Sequence, residues 1–170
     1  MKIKLIALFG LEFIAIVVGC ASKPITVLSV GPDTTSHVGP GTNGYLQVFS
    51  ATEKSPMIAS DDPTYFNLHT GYDIINDESR KGVKFVPNHT SNMDEWPDEV
   101  KLPVGNYNVV AESTCCGLVT VPVNIQTGKT TIVHLDRNWW PPSNTPTNQL
   151  VFLPDGEVVG WSSSTEKSSK

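Results

Sequence analysis

The 170-residue chain has no surplus of positive charge: 12 Lys and Arg stand against 17 Asp and Glu, a formal net charge of -5. Binding driven by release of phosphate counterions needs a basic surface, so a nucleic-acid partner is excluded on charge. No sustained helical period occurs between Tyr45 and Asp136, which excludes a helical body there. The longest apolar run, Leu5 to Val18, falls short of the about 20 residues that a membrane-crossing helix needs. Thirteen Gly and thirteen Pro carry no period, which excludes a collagen-like chain. His37, His69, His89 and His134 lack both an H-E-x-x-H motif and any i, i+4 pairing, so a metal-dependent hydrolase using the histidines and carboxylates is poorly supported and ranks as the third reading, after a scaffold and a carbohydrate-binding module. Asp94, Glu95, Asp98 and Glu99 surround Trp96-Pro97 without the order or the glycine of an EF-hand and read as a solvated acidic loop. Gly128-Lys129-Thr130 copies the end of a phosphate-binding loop, but Val123 stands where its first glycine belongs, which leaves a strand-to-strand turn. With no convergent nucleophile, base or metal set, the chain is expected to be non-enzymatic, with no metal and no cofactor.

What is present starts with Lys2 and Lys4 ahead of the apolar run and Val17-Val18-Gly19-Cys20 at its end. Positive residues hold an amino end on the cytoplasmic side while a short apolar segment enters the membrane, and small residues follow where a peptidase must reach the backbone. Glu12 opposes insertion by about 2 kcal/mol, which the surrounding aliphatics outweigh. The ending resembles the lipobox of bacterial lipoproteins. That resemblance implies a signal peptide over 1–19, lipidation of Cys20, a membrane partner through the lipid anchor and a place in the cell envelope. Each buried methylene of an acyl chain adds roughly 0.8 kcal/mol, so several chains anchor durably. Ala21, in place of the aspartate that commonly signals inner-membrane retention, implies the outer membrane. The compartment is then oxidising.

Residues 20–43 carry Gly31-Pro32, Thr34-Thr35-Ser36 and Gly39-Pro40-Gly41 and read as a flexible tether. From 44 to 136 short β-branched or aromatic runs alternate with turn residues. Strands are expected at Gly44 to Ala51, Gly71 to Ile75, Gly82 to Val86, Asn106 to Glu112, Leu118 to Ile125 and Thr130 to Leu135. Tyr107, Val109 and Ala111 share one face, as do Val119, Val121, Val123 and Ile125, which predicts strands wet on one side. The last three are expected to form an antiparallel meander. Residues 137–161 form a Trp/Pro-rich linker and a hairpin turning at Asp155-Gly156. The Ser-rich end, 162–170, is expected to be disordered.

Leu102-Pro103-Val104-Gly105-Asn106-Tyr107, Val121-Pro122-Val123-Asn124-Ile125 and Gly128-Lys129-Thr130-Thr131-Ile132-Val133-His134-Leu135 together resemble the carboxypeptidase-regulatory-like or PEGA-type domain. The resemblance implies an all-β fold, an immunoglobulin-like or prealbumin-like β-sandwich with a C-terminal β-hairpin tail. It also implies a non-catalytic scaffold, adhesive or accessory role toward an envelope protein or glycan.

Two features remain. Cys115-Cys116 lies between two expected strands and is open to three states: a vicinal disulfide, two free thiols or an intermolecular bridge. Adjacent Cα atoms sit about 3.8 Å apart, below the usual disulfide range. Trp96, Trp139 and Trp140, if exposed, are flat platforms for sugar stacking, and the competing reading has them, with Trp161, covering a sandwich end. Asn88-His89-Thr90 fits the N-glycosylation pattern and is expected to go unused behind a bacterial lipobox.

Overall fold

A computed structural model describes residues 25–32, 42–56 and 65–163. The expected signal peptide, Cys20 and residues 164–170 lie outside the described residues. About half of the described residues lie in strands, and nearly all of the regular structure is strand: β1 (Ile25–Thr26), β2 (Asn43–Phe49), β3 (Thr52–Pro56), β4 (Tyr65–His69), β5 (Tyr72–Asn76), β6 (Gly82–Val86), β7 (Glu99–Pro103), β8 (Gly105–Ser113), β9 (Gly117–Ile125), β10 (Thr130–His134), β11 (Leu150–Phe152) and β12 (Val158–Trp161). One 3-10 turn, Thr147–Gln149, leads into β11. Among the described residues no helix is long and apolar enough to cross a membrane.

Period-two patterning makes the principal strands. Leu46 and Val48 of β2, Tyr107, Val109 and Ala111 of β8, and Val119, Val121, Val123 and Ile125 of β9 are all buried. A strand sends alternate side chains to opposite faces, so each of these strands has one buried face. The strands assemble as a five-stranded sheet in the order β1-β9-β8-β5-β6 and a three-stranded sheet in the order β10-β2-β7, with the hairpins β3-β4 and β11-β12 added. Ile74, Tyr107, Val109 and Val121 from the larger sheet share one apolar cluster with Leu46, Val48, Val100 and Val133 from the smaller. Each fully buried aliphatic of this kind contributes roughly 1.5–3 kcal/mol.

Three expectations need correction. The first is the meander. β8 and β9 pair antiparallel from Gly105↔Ile125 to Ser113↔Gly117, but β10 leaves that sheet and pairs parallel with β2, from Thr130↔Tyr45 to His134↔Phe49. The free edge of β9 is already taken: β1 pairs with it in parallel, the Val30 N–H donates to the Pro122 carbonyl (2.8 Å), and the Asn124 N–H donates to the Val30 carbonyl (2.8 Å). Gly128, at φ 67°, turns the chain in a conformation most side chains resist, and β10 continues in the opposite layer.

The second correction is to the tether. Residues 25–32 are part of the folded body: Val30 is fully buried, and Gly31 N–H donates to the Trp161 carbonyl (2.8 Å). The third concerns residues 162 and 163, which belong to the folded body. Ser162 N–H donates to Gln149 O (2.8 Å) and Ser163 N–H to Ser29 O (3.1 Å). β12 also seats closely on its neighbours. A Cβ on Gly160 would stand 2.7 Å from Val30 Cγ1 and 2.9 Å from the Ile132 carbonyl oxygen. Strands β1, β3, β4 and β7 are additional to those expected from the sequence.

Candidate functional site

The last residue of β2 and the last of β10 are register partners, Phe49 and His134, and both point away from the core that Val48 and Val133 enter. That outer face is roofed by aromatic rings. The Phe49 and His134 rings stack at 4.8 Å, and His134 stacks on Trp139 at 4.7 Å with an interplanar angle of 3°. Trp161 of β12 meets Trp139 edge-on at 5.9 Å, while His69 and Trp96 meet Phe49 edge-on at 5.5 and 5.6 Å. Edge-to-face and offset-stacked pairs each add about 0.5–1.5 kcal/mol beyond the area they bury. Burial under this roof pushes the His134 imidazole down to about 4, against a smaller opposing effect of Asp136, so the ring is neutral at pH 7.

Beside the roof opens a cleft of about 500 Å³, in the size range of ligand sites. Trp96, 67% exposed, and Trp139 line it together with Asn67, Glu95, Asp136 and Asn138. His69 lines it as well. Its Nδ1 lies 2.7 Å from the Ser50 carbonyl, which can only accept, so Nδ1 carries the proton and Nε2 is the acceptor. The support beneath is a buried polar network. Asn88, fully buried and at φ 72°, donates from Nδ2 to Val48 O (2.9 Å) and Ser50 Oγ (3.0 Å), and Ser50 Oγ donates to Thr70 O (2.6 Å). These bonds tie the end of β2 to the Asn88 turn beneath the cleft, although Asn88 Oδ1 and Thr70 Oγ1 stay buried without a partner among the described residues.

The expected solvated acidic loop is largely exposed, and it is also braced. Asp94 accepts from Thr90 Oγ1 (2.6 Å) and from the Trp96 N–H (3.3 Å). The Thr90 hydroxyl is the main reason its carboxyl sits below the usual range. Glu95 Oε1 accepts the Asn67 N–H at 2.7 Å, and Gln47 Nε2 donates to Pro97 O at 3.1 Å, so both ends of the Trp96 turn are held. His89 is oriented by the backbone, its Nδ1 donating to the His69 carbonyl (3.3 Å), and its charge interacts with Asp94. On the far side of the cleft, Asp136 accepts from Asn138 N–H (3.3 Å) and Asn138 Nδ2 (3.0 Å), which sets the turn that delivers Trp139.

Of the residues singled out from sequence, Trp96 and Trp139 are brought together, while Trp140 projects into a neighbouring cleft. Cys115 and Cys116 form a vicinal disulfide in the β8–β9 turn, with Cys115 Sγ 3.2 Å from Ser113 Oγ. Both sulfurs lie within 4.8 Å of an Asp155 carboxylate oxygen. Bonded to each other, they offer no thiolate to a cation. Phe49, His69, His134, Asp136 and Asn138 were not anticipated as site residues. Their one signal was an outward-facing aromatic or histidine at the ends of β2 and β10, which alternation alone assigns to solvent. Comparison with models of protein families, with curated proteins and with solved structures finds no match to this chain.

Proposed function

We propose that the chain is a non-catalytic, lipid-anchored envelope protein whose cleft between Trp96 and Trp139 takes a glycan. The body is read as an immunoglobulin-like or prealbumin-like β-sandwich of the carboxypeptidase-regulatory-like or PEGA type, and the anchor as three acyl chains on Cys20. One observation carries the glycan reading. Two indoles 43 positions apart in sequence meet at one concave site that also offers carboxylate and amide side chains. Pyranose rings have apolar C–H faces that lie on indoles and hydroxyl rims that need hydrogen-bond partners, and this cleft supplies both. A flat hydrophobic patch would have favoured a protein partner instead.

Screening the full chain, solubilised in detergent, on an immobilised glycan array tests the reading. Binding is expected, and Trp96→Ala is expected to weaken it by roughly tenfold or more, the loss of about 1.4 kcal/mol. Absence of binding across the array, or binding untouched by Trp96→Ala, removes the proposal.

A further inference from the structure

A second cleft of about 400 Å³ adjoins the first, and Trp139 lines both. Its other principal walls are Trp140, Arg137, Asp155 and Glu157. Accepting the glycan reading above, we propose that the ligand is a non-acidic, β-1,4-linked oligosaccharide long enough to run from the Trp96–Trp139 cleft past Trp139 onto Trp140.

Four observations point the same way. Arg137 adopts φ 65°, a left-handed conformation that is strained for a non-glycine residue. This kink directs Asp136 to the first cleft and Arg137 to the second, so one strained residue shapes both. Strain of this sort persists where the surroundings enforce it, and here Arg137 is held by Asp155 and by Glu157, its Nε 2.9 Å from Glu157 Oε2. Next, the Arg137 charge is spent on those two carboxylates, and no other Lys or Arg lines either cleft among the described residues. An anionic ligand would face Glu95, Asp136, Asp155 and Glu157 without a free cation, which excludes acidic chains.

The third observation is Glu157 Oε1, buried with no hydrogen-bond partner among the described residues. A buried acceptor left unpaired is costly, and a ligand hydroxyl entering the second cleft supplies the missing donor. The fourth is Trp140, 83% exposed although nothing in the fold requires an indole there. Pyranoses joined through equatorial bonds form an extended ribbon that presents successive flat faces, so one such chain can cover Trp96, Trp139 and Trp140. A coiled α-linked chain curls away from successive platforms.

The test is calorimetric titration of the full detergent-solubilised chain with cello- and chito-oligosaccharides of two, four and six units, with malto-oligosaccharides alongside. Affinity is expected to climb by roughly tenfold or more from disaccharide to hexasaccharide. Trp140→Ala should flatten most of that climb, and Trp140→Phe should restore part of it. Because Trp140 is so exposed, neither change threatens folding. A climb that survives Trp140→Ala, or equal affinity at every length, overturns the inference while binding that depends on Trp96 leaves the glycan reading standing. Preference for the malto series overturns the linkage assignment alone. Failure of every sugar to bind overturns both.

Discussion

His134 shows how much a single residue's surroundings decide. Alternation along β10 places it opposite Val133, and that much was legible in the sequence, because a two-residue period is local. The cover was not legible: Phe49 comes from a strand some 85 positions away in sequence, and Trp139 returns from beyond the end of β10. Under that cover the imidazole titrates near 4 instead of 6.5. Between those two values the unfolded chain binds a proton that the folded chain refuses, so stability is complete above pH 6.5 and drains away as pH falls toward 4. The shift caps the loss from this group at about 3 kcal/mol. Urea unfolding at pH 7.5 and pH 4.5 should therefore give a larger difference for the native chain than for His134→Phe, in which nothing titrates at that position. Equal differences would show that His134 is protonated as easily in the fold as out of it.

At the scale of the element, the longer strands with clean alternation were readable, and two of the missed ones differ in cause. Thr52–Pro56 is short and polar and becomes a strand because β4 offers its edge, whereas Glu99–Pro103 does alternate, burying Val100 and Leu102, but over only five residues that end in proline, and β2 completes it. The parallel choice of β10 depends on residues 25–30 having claimed β9, a competition invisible to local pattern. The hairpin turn at Asp155-Gly156 was legible, yet its docking was not, since docking rests on contact between β12, β10 and Val30. Gly160 is the tight point. Gly160→Ala should cost about 1–3 kcal/mol through overpacking, read as a lowered urea midpoint with unchanged slope. The β8–β9 turn carries a separate expectation. Under denaturing, non-reducing conditions Cys115 and Cys116 should resist iodoacetamide, and after reduction both should be alkylated, with Cys115–Cys116 peptide mass as the readout. Labelling of both before reduction would show two thiols.

At the scale of the whole molecule, the position proposed for the anchor stands closer to the body than composition suggests. Gly, Pro and Ser/Thr between residues 31 and 41 made 20–43 look like one long spacer, but the body already starts at β1. Five peptide units separate Cys20 from Ile25, and a fully extended chain covers about 3.5 Å per residue, so a lipidated Cys20 would hold the domain within roughly 17 Å of the bilayer. Residues 25–32, which follow the proposed anchor, are stitched in from two sides. Val30 bonds to Pro122 and Asn124 of β9, and Ser29 and Gly31 bond to Ser163 and Trp161 past and within β12. Each such hydrogen bond nets about 1 kcal/mol and burial of Val30 adds roughly 2 kcal/mol, enough together to hold a nicked chain for a time. A protease site inserted between residues 36 and 37 should thus be cut without freeing the domain. The body should stay with the membrane fraction until urea is added, whereas a site placed after Ala21 should free it at once. Incorporation of labelled palmitate, lost in Cys20→Ser, establishes the anchor first. Immediate release on cutting at 36 would mean that residues 25–32 are only loosely held, and that the long-spacer reading describes the chain better than the stitched one.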